Sequence, residues 1–512
     1  MVSIGPPSAQ VQAPQTTRIE VTHEGVSEVH PQLAPIGTSG STVALVTAPR
    51  WQQDDLGLAW IANHVAIGDN GAAMAAGKEL NNVRVALAAR APLAAALETT
   101  DIGGGVYQST VHAFDTTGMG TALWSVTLPT TGNVIAGQVA VSAVGDQVTV
   151  VVSNASGVQH LRAFDAAGTT IASHDLPLSA NIRFGSTDDT GKRVYLGLYN
   201  GTCEIYEVAT GSLLHSQALG GTFDSHAFSA DGTTFAYGNF GGLFVVRETA
   251  PGSWTQIASR SHAGGQYLGR CALSADGDTA AFAVQRYSPA SDHFELGMLD
   301  VSTGTDLFSS SVDAPGTTYQ LIASGCSVDA TGEAAAFGSW GDSFSSTATI
   351  QAFDRSGTQT ASITTPGSVF SVAIDADGDV IAAGSKAVHA NAFGNGGSTW
   401  CVDANDQDLH MLGTAQVGGV LSLESPAGAS TLTLAVSSGL AASVTPFGVA
   451  EIDTSALLAT VGPLPVGAGG LVQALNVPNN PAFAGAAIHF QALRVTGSGS
   501  ALTNKVSVRM LP

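Results

Sequence analysis

Residues 371–384, S-V-A-I-D-A-D-G-D-V-I-A-A-G, hold an apolar run, an Asp-Ala-Asp-Gly turn and a second apolar run that ends in glycine. Apolar, partly β-branched runs on either side of a D-G turn predict two antiparallel strands joined by a tight hairpin. Near copies stand at 225–238 (S-H-A-F-S-A-D-G-T-T-F-A-Y-G) and 270–283 (R-C-A-L-S-A-D-G-D-T-A-A-F-A). A repeated hairpin of this kind predicts an all-β chain built from like units.

Eight turns share the pattern, with a large apolar residue four positions before the turn glycine and an apolar strand after it. They are centred 41 to 55 residues apart on Gly40, Ala91 (alanine in place of glycine), Gly145, Gly191, Gly232, Gly277, Gly332 and Gly378. The large residues are Ile36, Leu87, Val141, Phe184, Phe228, Leu273, Val328 and Ile374. This interval is typical of one four-stranded propeller blade, and a strand packed between neighbouring blades requires the large apolar residue.

A second motif joins the units. A-F-D-x-x-G occurs at 113–118, 163–168 and 352–357. Variants with one more residue between the carboxylate and the glycine occur at 206–211 (Y-E-V-A-T-G) and 299–304 (L-D-V-S-T-G). The turn glycine permits a positive φ, and a carboxylate in such a turn accepts backbone N–H groups. We therefore expect capping rather than chemistry from Asp115, Asp165, Glu207, Glu248, Asp300 and Asp354.

The hairpin S-V-A-I-D-A-D-G resembles the strand-turn-strand signature of WD40-like and TolB-like propellers. The A-F-D-x-x-G junction, once followed by Trp124, resembles the blade junctions of PQQ-like propellers. The resemblance covers residues 16–398 and implies a β-propeller, for which the eight turns predict eight blades. The alternative has seven blades, with strands from residues 18–67 completing the last blade. The Trp-Asp and Gly-His pairs of true WD40 repeats are missing.

The ends of the chain differ from the repeats. Residues 1–15 are rich in Pro, Gln and Ser and predict a disordered or extended N-terminus. Residues 399–412 indicate a polar linker, and 413–512 predict a small Ig-like β-sandwich because short alternating runs are separated by Pro/Gly/Asn turns. The predicted strands are 420–423, 431–436, 448–452, 471–475, 486–493 and 505–510. The region resembles C-terminal β domains of exported bacterial proteins, which implies an accessory, attachment or sorting role.

Charge and composition limit the partners. With 18 Lys+Arg against 40 Asp+Glu, the net charge of −22 disfavours nucleic acid and anionic lipid. No apolar run approaches the roughly 20 residues that span a bilayer. The Thr/Ser/Gly/Ala-rich, lysine-poor composition resembles that of exported bacterial proteins, so we expect an extracellular or periplasmic protein whose signal peptide has been removed. A cytoplasmic location is the alternative.

The cysteines and histidines predict neither a metal site nor a redox cofactor. Cys203, Cys271, Cys326 and Cys401 contain no C-x-x-C pair, and the 13 histidines contain no H-x-x-x-H pair. Cys271 and Cys326 occupy the same place in successive repeats, which predicts small core residues rather than a disulfide. Quinoprotein dehydrogenases with such junctions carry an adjacent Cys-Cys pair, which is absent here. We expect no cofactor.

Two acidic runs have the oxygen-rich chemistry that calcium prefers. They are Asp375, Asp377 and Asp379 in one hairpin, and Asp403, Asn405, Asp406 and Asp408 in the predicted linker. Neither fits a D-x-[DN]-x-[DN]-G loop with its distal glutamate, so turn formation is the preferred interpretation and no metal site is predicted.

Propellers bind ligands at the mouths of the central channel, where inner strands and loops converge. The position seven residues before the turn glycine is polar or small in most units. From it and its neighbours we select candidate ligand- or partner-binding residues, with packing between blades as the alternative role. The candidates are Arg84, Gln138, Arg183, Asp224, His226 and Arg270.

The leading hypothesis is a noncatalytic, exported scaffold that binds a protein or carbohydrate partner at the channel mouth. The alternative is a propeller hydrolase or lyase that acts on an extracellular polymer through His226, Asp224 and Arg270. No residue is assigned a catalytic role, and the sequence does not determine the oligomeric state.

Overall fold

The structure is a computed structural model of the chain. Before Arg84, and at some later positions, it describes only the backbone pairing of the strands. The described residues are 3–4, 15–21, 29–33, 51–54, 62–67, 73–78, 84–88, 93–103, 106–115, 121–128, 131–132, 137–153, 158–178, 180, 182–218, 225–239, 241–262, 265–286, 290–375, 378, 380–392, 396–403, 409–412, 417–425, 429–467, 470–483, 486–497, 499–503 and 506–509.

The described chain is β-structure, with 3-10 turns at Thr454–Ala456 and Pro481–Phe483 and no α-helix among the described residues. This confirms the predicted all-β class. Six strands precede Arg84: β1 (Ser3–Ile4), β2 (Gln15–Val21), β3 (Val29–Leu33), β4 (Trp51–Asp54), β5 (Ala62–Ile67) and β6 (Ala73–Lys78).

Six four-stranded antiparallel units then follow in sequence order, and β11 (Thr131–Gly132) adds to the first of them. Sheet 1 is β7 (Arg84–Leu87), β8 (Leu93–Gly103), β9 (Val106–Asp115) and β10 (Thr121–Thr127); sheet 2 is β12 (Gly137–Val141), β13 (Gln147–Ser153), β14 (Gln159–Asp165) and β15 (Thr170–Leu176). Sheet 3 is β16 (Ile182–Thr187), β17 (Arg193–Leu198), β18 (Thr202–Glu207) and β19 (Leu213–Ala218); sheet 4 is β20 (Ser225–Phe228), β21 (Thr234–Asn239), β22 (Gly242–Ala250) and β23 (Ser253–Ser261). Sheet 5 is β24 (Gln266–Leu273), β25 (Thr279–Arg286), β26 (His293–Asp300) and β27 (Thr305–Asp313); sheet 6 is β28 (Ala323–Val328), β29 (Ala334–Ser339), β30 (Ile350–Asp354) and β31 (Gln359–Ile363).

Two further sheets use the N-terminal strands. Sheet 7 joins β32 (Val369–Ile374), β33 (Val380–Lys386) and β34 (Gly397–Asp403), and its fourth strand is β4 from the start of the chain. Sheet 8 has the order β5-β6-β2-β3, in which β2 runs parallel to β6.

Burial decreases from the second to the fourth strand of a sheet. In sheet 5, β25 (T-A-A-F-A-V-Q-R) is buried on both faces, whereas β27 (T-D-L-F-S-S-S-V-D) alternates between half-buried and exposed residues. A strand with sheets on both sides needs small and apolar residues throughout, and an outer strand needs them on one face only. The predicted large apolar position is confirmed as buried or half-buried wherever its side chain is described, at Leu87, Val141, Phe228, Leu273, Val328 and Ile374.

Neighbouring sheets contact each other through their first strands. β7 contacts β12, β12 contacts β16, β20 contacts β24, β24 contacts β28, and β28 contacts β32. Sheets 3 and 4 meet where Phe228 packs on Tyr195, with ring centroids 3.7 Å apart. β32 contacts β5, and β5 contacts β7, so the series of contacts returns to sheet 1 through sheet 8.

In sheets 2 to 7 the first hairpin has the same capped turn. A Ser or Asp three positions before the glycine accepts the N–H of the residue two positions after it, which satisfies a donor inside the turn. These residues are Ser142, Asp188, Ser229, Ser274, Asp329 and Asp375.

Consecutive turns are also joined by backbone hydrogen bonds. The N–H of Ala143 donates to Asp189 O (2.7 Å), that of Asp189 to Ala230 O (2.8 Å), that of Ala230 to Ala275 O (2.8 Å) and that of Ala275 to Ala330 O (3.0 Å). Each of these residues stands two positions before its turn glycine. The turns of sheets 2 to 6 therefore form one continuous hydrogen-bonded chain.

The C-terminal region contains two sheets that share one apolar core. Leu421 and Leu475 of one sheet and Leu434 and Phe490 of the other belong to the same buried cluster. The strands predicted there are confirmed within two or three residues. They are β35 (His410–Leu412), β36 (Val420–Ser425), β37 (Thr431–Ser437), β38 (Leu440–Thr445), β39 (Gly448–Ile452), β40 (Leu457–Pro465), β41 (Leu471–Asn476), β42 (Ala487–Thr496), β43 (Gly499–Leu502) and β44 (Val506–Arg509), of which β35, β38, β40 and β43 were not predicted.

The ends of the repeat region differ from the sequence prediction. The linker predicted over 399–412 begins inside β34, where Trp400, Cys401 and Val402 are buried and Trp400 Nε1 donates to Ser385 Oγ (2.8 Å). Three consecutive buried residues require sheets on both faces, which a linker would not supply. At the other end, Ser3–Ile4 pairs with β41 of the C-terminal region. No helix in the described part of the chain has the length and hydropathy to cross a lipid bilayer.

Candidate functional site

The predicted site residues lie at or near the starts of the first strands. Arg84 begins β7, Gln138 is the second residue of β12, His226 is the second of β20, and Arg270 lies in β24. All four are half-buried. Asp224 and the side chain of Arg183 lie outside the described residues.

Arg270 joins sheet 5 to sheet 6. Its Nε donates to Ser324 O (2.8 Å) in β28 of the next sheet, and its Nη1 donates to Gly269 O (2.6 Å). Beside it, the Cys271 N–H donates to Ser225 Oγ in sheet 4. Two guanidinium nitrogens thus donate to main-chain carbonyls. This matches packing between sheets, the alternative role that the sequence analysis gave for the candidate residues.

His226 packs against the ring of Phe228 and is near enough to Arg270 to be affected by its positive charge. Its ring contacts Phe228 edge-to-face, with centroids 5.7 Å apart. Burial, together with the nearby Arg270 charge, lowers the pKa of His226 to about 3. The imidazole is therefore neutral near pH 7.

The thiols occupy core positions. Cys271 is buried in the cluster formed by sheets 4 and 5, and Cys326 packs against the cluster of sheets 5 and 6. Both are free cysteines, which confirms the prediction of core residues. Burial raises the pKa of Cys271 to about 12 and that of Cys326 well above its usual value, so neither thiol is nucleophilic at neutral pH.

Four of the six junction carboxylates cap turns as expected, whereas Glu207 accepts the Thr210 hydroxyl and the side chain of Asp115 lies outside the described residues. Asp165 accepts the N–H groups of Ala167 and Thr169, and Asp354 accepts those of Ser356 and Thr358. Asp300 and Glu248 do the same with Ser302 and Gly252.

Asp375, from the first candidate calcium run, is buried and accepts the Val380 N–H at 3.1 Å as a turn cap. Asp377 and Asp379 lie outside the described residues, as do Asn405, Asp406 and Asp408. Among the residues that are described, no three His, Cys, Asp or Glu side chains lie close enough to hold a metal ion.

A cleft of about 180 Å³ lies between sheets 6 and 7, at the ends opposite the capped turns. We call it the Trp340 cleft. It is lined by Tyr319, Trp340, Gly341, Asp342, Ser343, Ser345, Thr347, Thr349, Thr365, Pro366, Gly367, Val388, His389 and Ala392.

Two long connections form the walls of this cleft. Residues 340–349 join the second and third strands of sheet 6, and residues 387–396 make the same connection in sheet 7. In sheets 1 to 5 the corresponding connections have only two to six residues. The additional chain is therefore confined to two neighbouring sheets and meets at one place.

Hydrogen bonds hold the described residues of both connections in fixed conformations. Asp342 accepts the backbone N–H of Ser346 (2.6 Å) and of Thr347 (3.3 Å). His389 Nε2 donates to Gly341 O (3.2 Å), which joins the two connections, and Lys386 Nζ donates to Ala392 O (2.8 Å). The walls are thus formed before any ligand arrives.

Aromatic rings line one side of the cleft. Tyr319 stacks on His389 with centroids 4.3 Å apart, and Trp340 meets the same ring edge-to-face at 6.3 Å. Phe344, in the same connection as Trp340, is 68% exposed.

The lining carries little available charge. Burial raises the pKa of Asp342, but hydrogen bonds from Ser346 and Thr347 outweigh burial and hold that pKa below its usual value, so the carboxylate is ionised and already bonded. Burial lowers the pKa of His389, and Asn391 N–H donates to its Nδ1 at 3.1 Å, so the ring is neutral with both nitrogens occupied.

The sequence interpretation missed this cleft because it looked for a site at equivalent positions of the repeat. The available signal was an irregularity: after the buried strand A-A-A-F-G-S, ten residues beginning W-G-D-S-F precede the next strand.

Neither a scan against protein-family models nor a search of curated proteins finds a match to the chain.

Proposed function

We propose that the eight sheets are the blades of a β-propeller, that residues 413–512 form an Ig-like β-sandwich, and that the chain is a noncatalytic, exported scaffold that binds a partner. The cyclic series of contacts through the first strands supports the propeller. The shared core of the two C-terminal sheets supports the sandwich. An extracellular or periplasmic location belongs to the same proposal.

The observation that carries the binding function is the placement of the two long connections. They interrupt an otherwise regular repeat at neighbouring sheets, on the side where the first strands begin. In repeat proteins, insertions of this kind commonly form the binding face, because the regular frame holds variable loops rigidly. We therefore assign partner binding to this face, and protein or carbohydrate remains the class of partner.

The hydrogen bonds of Arg270 favour the scaffold over the alternative hydrolase or lyase. An enzyme using His226, Asp224 and Arg270 would need the guanidinium to reach a substrate. Instead Arg270 donates to Ser324 O and Gly269 O, and His226 is a neutral ring packed on Phe228.

The test compares wild type with Arg270→Ala and His226→Gln on a panel of polysaccharides and proteins, with products followed by reducing-end and peptide analysis. We expect no product with any of the three. We also expect Arg270→Ala to lower the urea midpoint, because the Ser324 carbonyl loses its donor. Product formation by wild type that either substitution abolishes would establish the enzyme instead.

A further inference from the structure

The Trp340 cleft has the size of a site for one ring. Pockets that hold drug-sized ligands measure roughly 300–1,000 Å³, whereas this cleft measures about 180 Å³. The cleft is lined mainly by the two connections. An extended peptide would need contacts beyond it.

Three polar groups at the cleft are available to a ligand. They belong to the lining residues Tyr319, Trp340 and Ser345. Neither the Tyr319 hydroxyl, Trp340 Nε1–H nor Ser345 Oγ donates a hydrogen bond to another described residue. Ser345 is exposed and holds φ at 51°, the single positive value among the described non-glycine residues. Such strain persists where surrounding structure enforces it, which the bonds of Asp342 to the next two residues do here.

The charged groups at the cleft are already engaged. Asp342 is bonded to Ser346 and Thr347, both nitrogens of His389 are occupied, and Lys386 donates to main-chain carbonyls. Among the described lining residues, a charged ligand would therefore meet no free counter-charge. The net charge of −22 further disfavours an anion.

An aromatic lining with uncharged donors and hydroxyls matches a neutral sugar, whose C–H face packs on aromatic rings while its hydroxyls take up hydrogen bonds. We propose that the Trp340 cleft binds one uncharged pyranose unit of an oligosaccharide or polysaccharide. This inference rests on the proposed function, because it names the partner class for the same face. The fixed connections limit the ordering cost of binding, and one sugar unit is expected to bind with a Kd of about 1 mM.

The binding experiment uses the full chain and neutral cello-, xylo-, manno- and chito-oligosaccharides. An oligogalacturonate serves as the anionic probe, and a proline-rich peptide represents the competing class. Affinity is measured by calorimetry and by tryptophan fluorescence. We expect at least one neutral series to bind, with at least a tenfold loss in Trp340→Ala and partial recovery in Trp340→Phe.

Trp254→Ala is the matched control. Trp254 is also half-buried and packs on His215 (5.4 Å between centroids), but it lies in β23 of sheet 4. Its substitution should leave the affinity unchanged. Trp340 also packs on Phe370, so Trp340→Ala removes a packing contact as well as a side chain of the cleft. A second variant, Ser345→Arg, therefore fills the cleft from an exposed position. It should abolish binding without altering the circular dichroism spectrum.

The possible outcomes separate the two proposals. Trp340-dependent binding of a neutral sugar that is recovered intact supports both. Cleavage of that sugar would overturn the noncatalytic function and leave the ligand class standing. Trp340-dependent binding of the peptide alone would overturn the sugar and leave the scaffold. Sugar binding that both Trp340→Ala and Ser345→Arg retain, or no binding of any probe, would overturn the assignment of the cleft.

Discussion

The close approach of neighbouring sheets at the capped turns can be measured by adding one methyl group at Gly332. This glycine has φ +74°, and a Cβ there would lie 2.3 Å from Oγ1 and 2.5 Å from Cβ of Thr279 in the preceding sheet. Rotation of the threonine does not relieve the clash, because its own Cβ is one of the atoms involved. Gly332→Ala therefore requires the two sheets to separate.

Gly304 provides the comparison. Its φ of +69° is nearly the same, yet a Cβ there meets nothing within 4 Å. Gly304→Ala thus incurs only the left-handed backbone cost of about 1–2 kcal/mol. Gly332→Ala incurs that cost plus about 1–3 kcal/mol for overpacking, so its free energy of unfolding should be lower by about 2 kcal/mol more.

The assay is urea unfolding of wild type and both variants, followed by circular dichroism and tryptophan fluorescence. Thr279→Gly in the Gly332→Ala background removes the opposing Cβ, and a double-mutant cycle should then return most of the excess loss. Equal destabilisation by Gly332→Ala and Gly304→Ala, or a cycle with no coupling, would refute the packing of sheet 5 on the turn of sheet 6.

Two further predictions concern buried polar groups. Asp329 accepts the N–H groups of Glu333 and Ala334, and other repeats have serine at the same position. Asp329→Ser should therefore retain stability, whereas Asp329→Ala should lose about 1–3 kcal/mol of unfolding free energy. Similar urea midpoints for both variants would contradict the capping role. Burial, with nearby Arg270 and Arg260 charges respectively, lowers the pKa of His226 to about 3 and of His262 to about 4 from 6.5. The unfolded chain consequently binds more protons in that window, so the melting temperature should fall as pH decreases below about 6.5, and less steeply in His226→Phe. An unchanged slope in this variant would remove His226 as a cause.

The extent to which the sequence predicted the structure follows from how regular each part is. The D-G hairpins were predictable because their glycine, their −4 apolar residue and their strands recur with one spacing. The N-terminal region was less so: the alternative interpretation had strands from residues 18–67 complete the last repeat, but no local pattern selected residues 51–54, which pair with residues 398–401. Propensity and periodicity describe neighbours along the chain, whereas that pairing is determined by tertiary contacts.

The same contrast holds for the candidate site. Selecting equivalent repeat positions found residues such as Arg270, which joins sheet 5 to sheet 6. The Trp340 cleft depends on what is unequal between repeats, namely two connections of ten residues. Their convergence could not be predicted, because it depends on the relative placement of adjacent sheets and on bonds such as His389 to Gly341.

The pairing of β4 with β34 also has a consequence for biosynthesis. Residue 54 leaves the ribosome more than 340 residues before residue 398, its partner. At translation rates of about 5–20 residues per second, β34 is synthesised roughly 20 to 70 s after β4. Throughout that interval the backbone N–H and C=O groups of β4 lack the β34 strand that they later pair with, and sheet 7 is complete only after residues 397–403 have been synthesised.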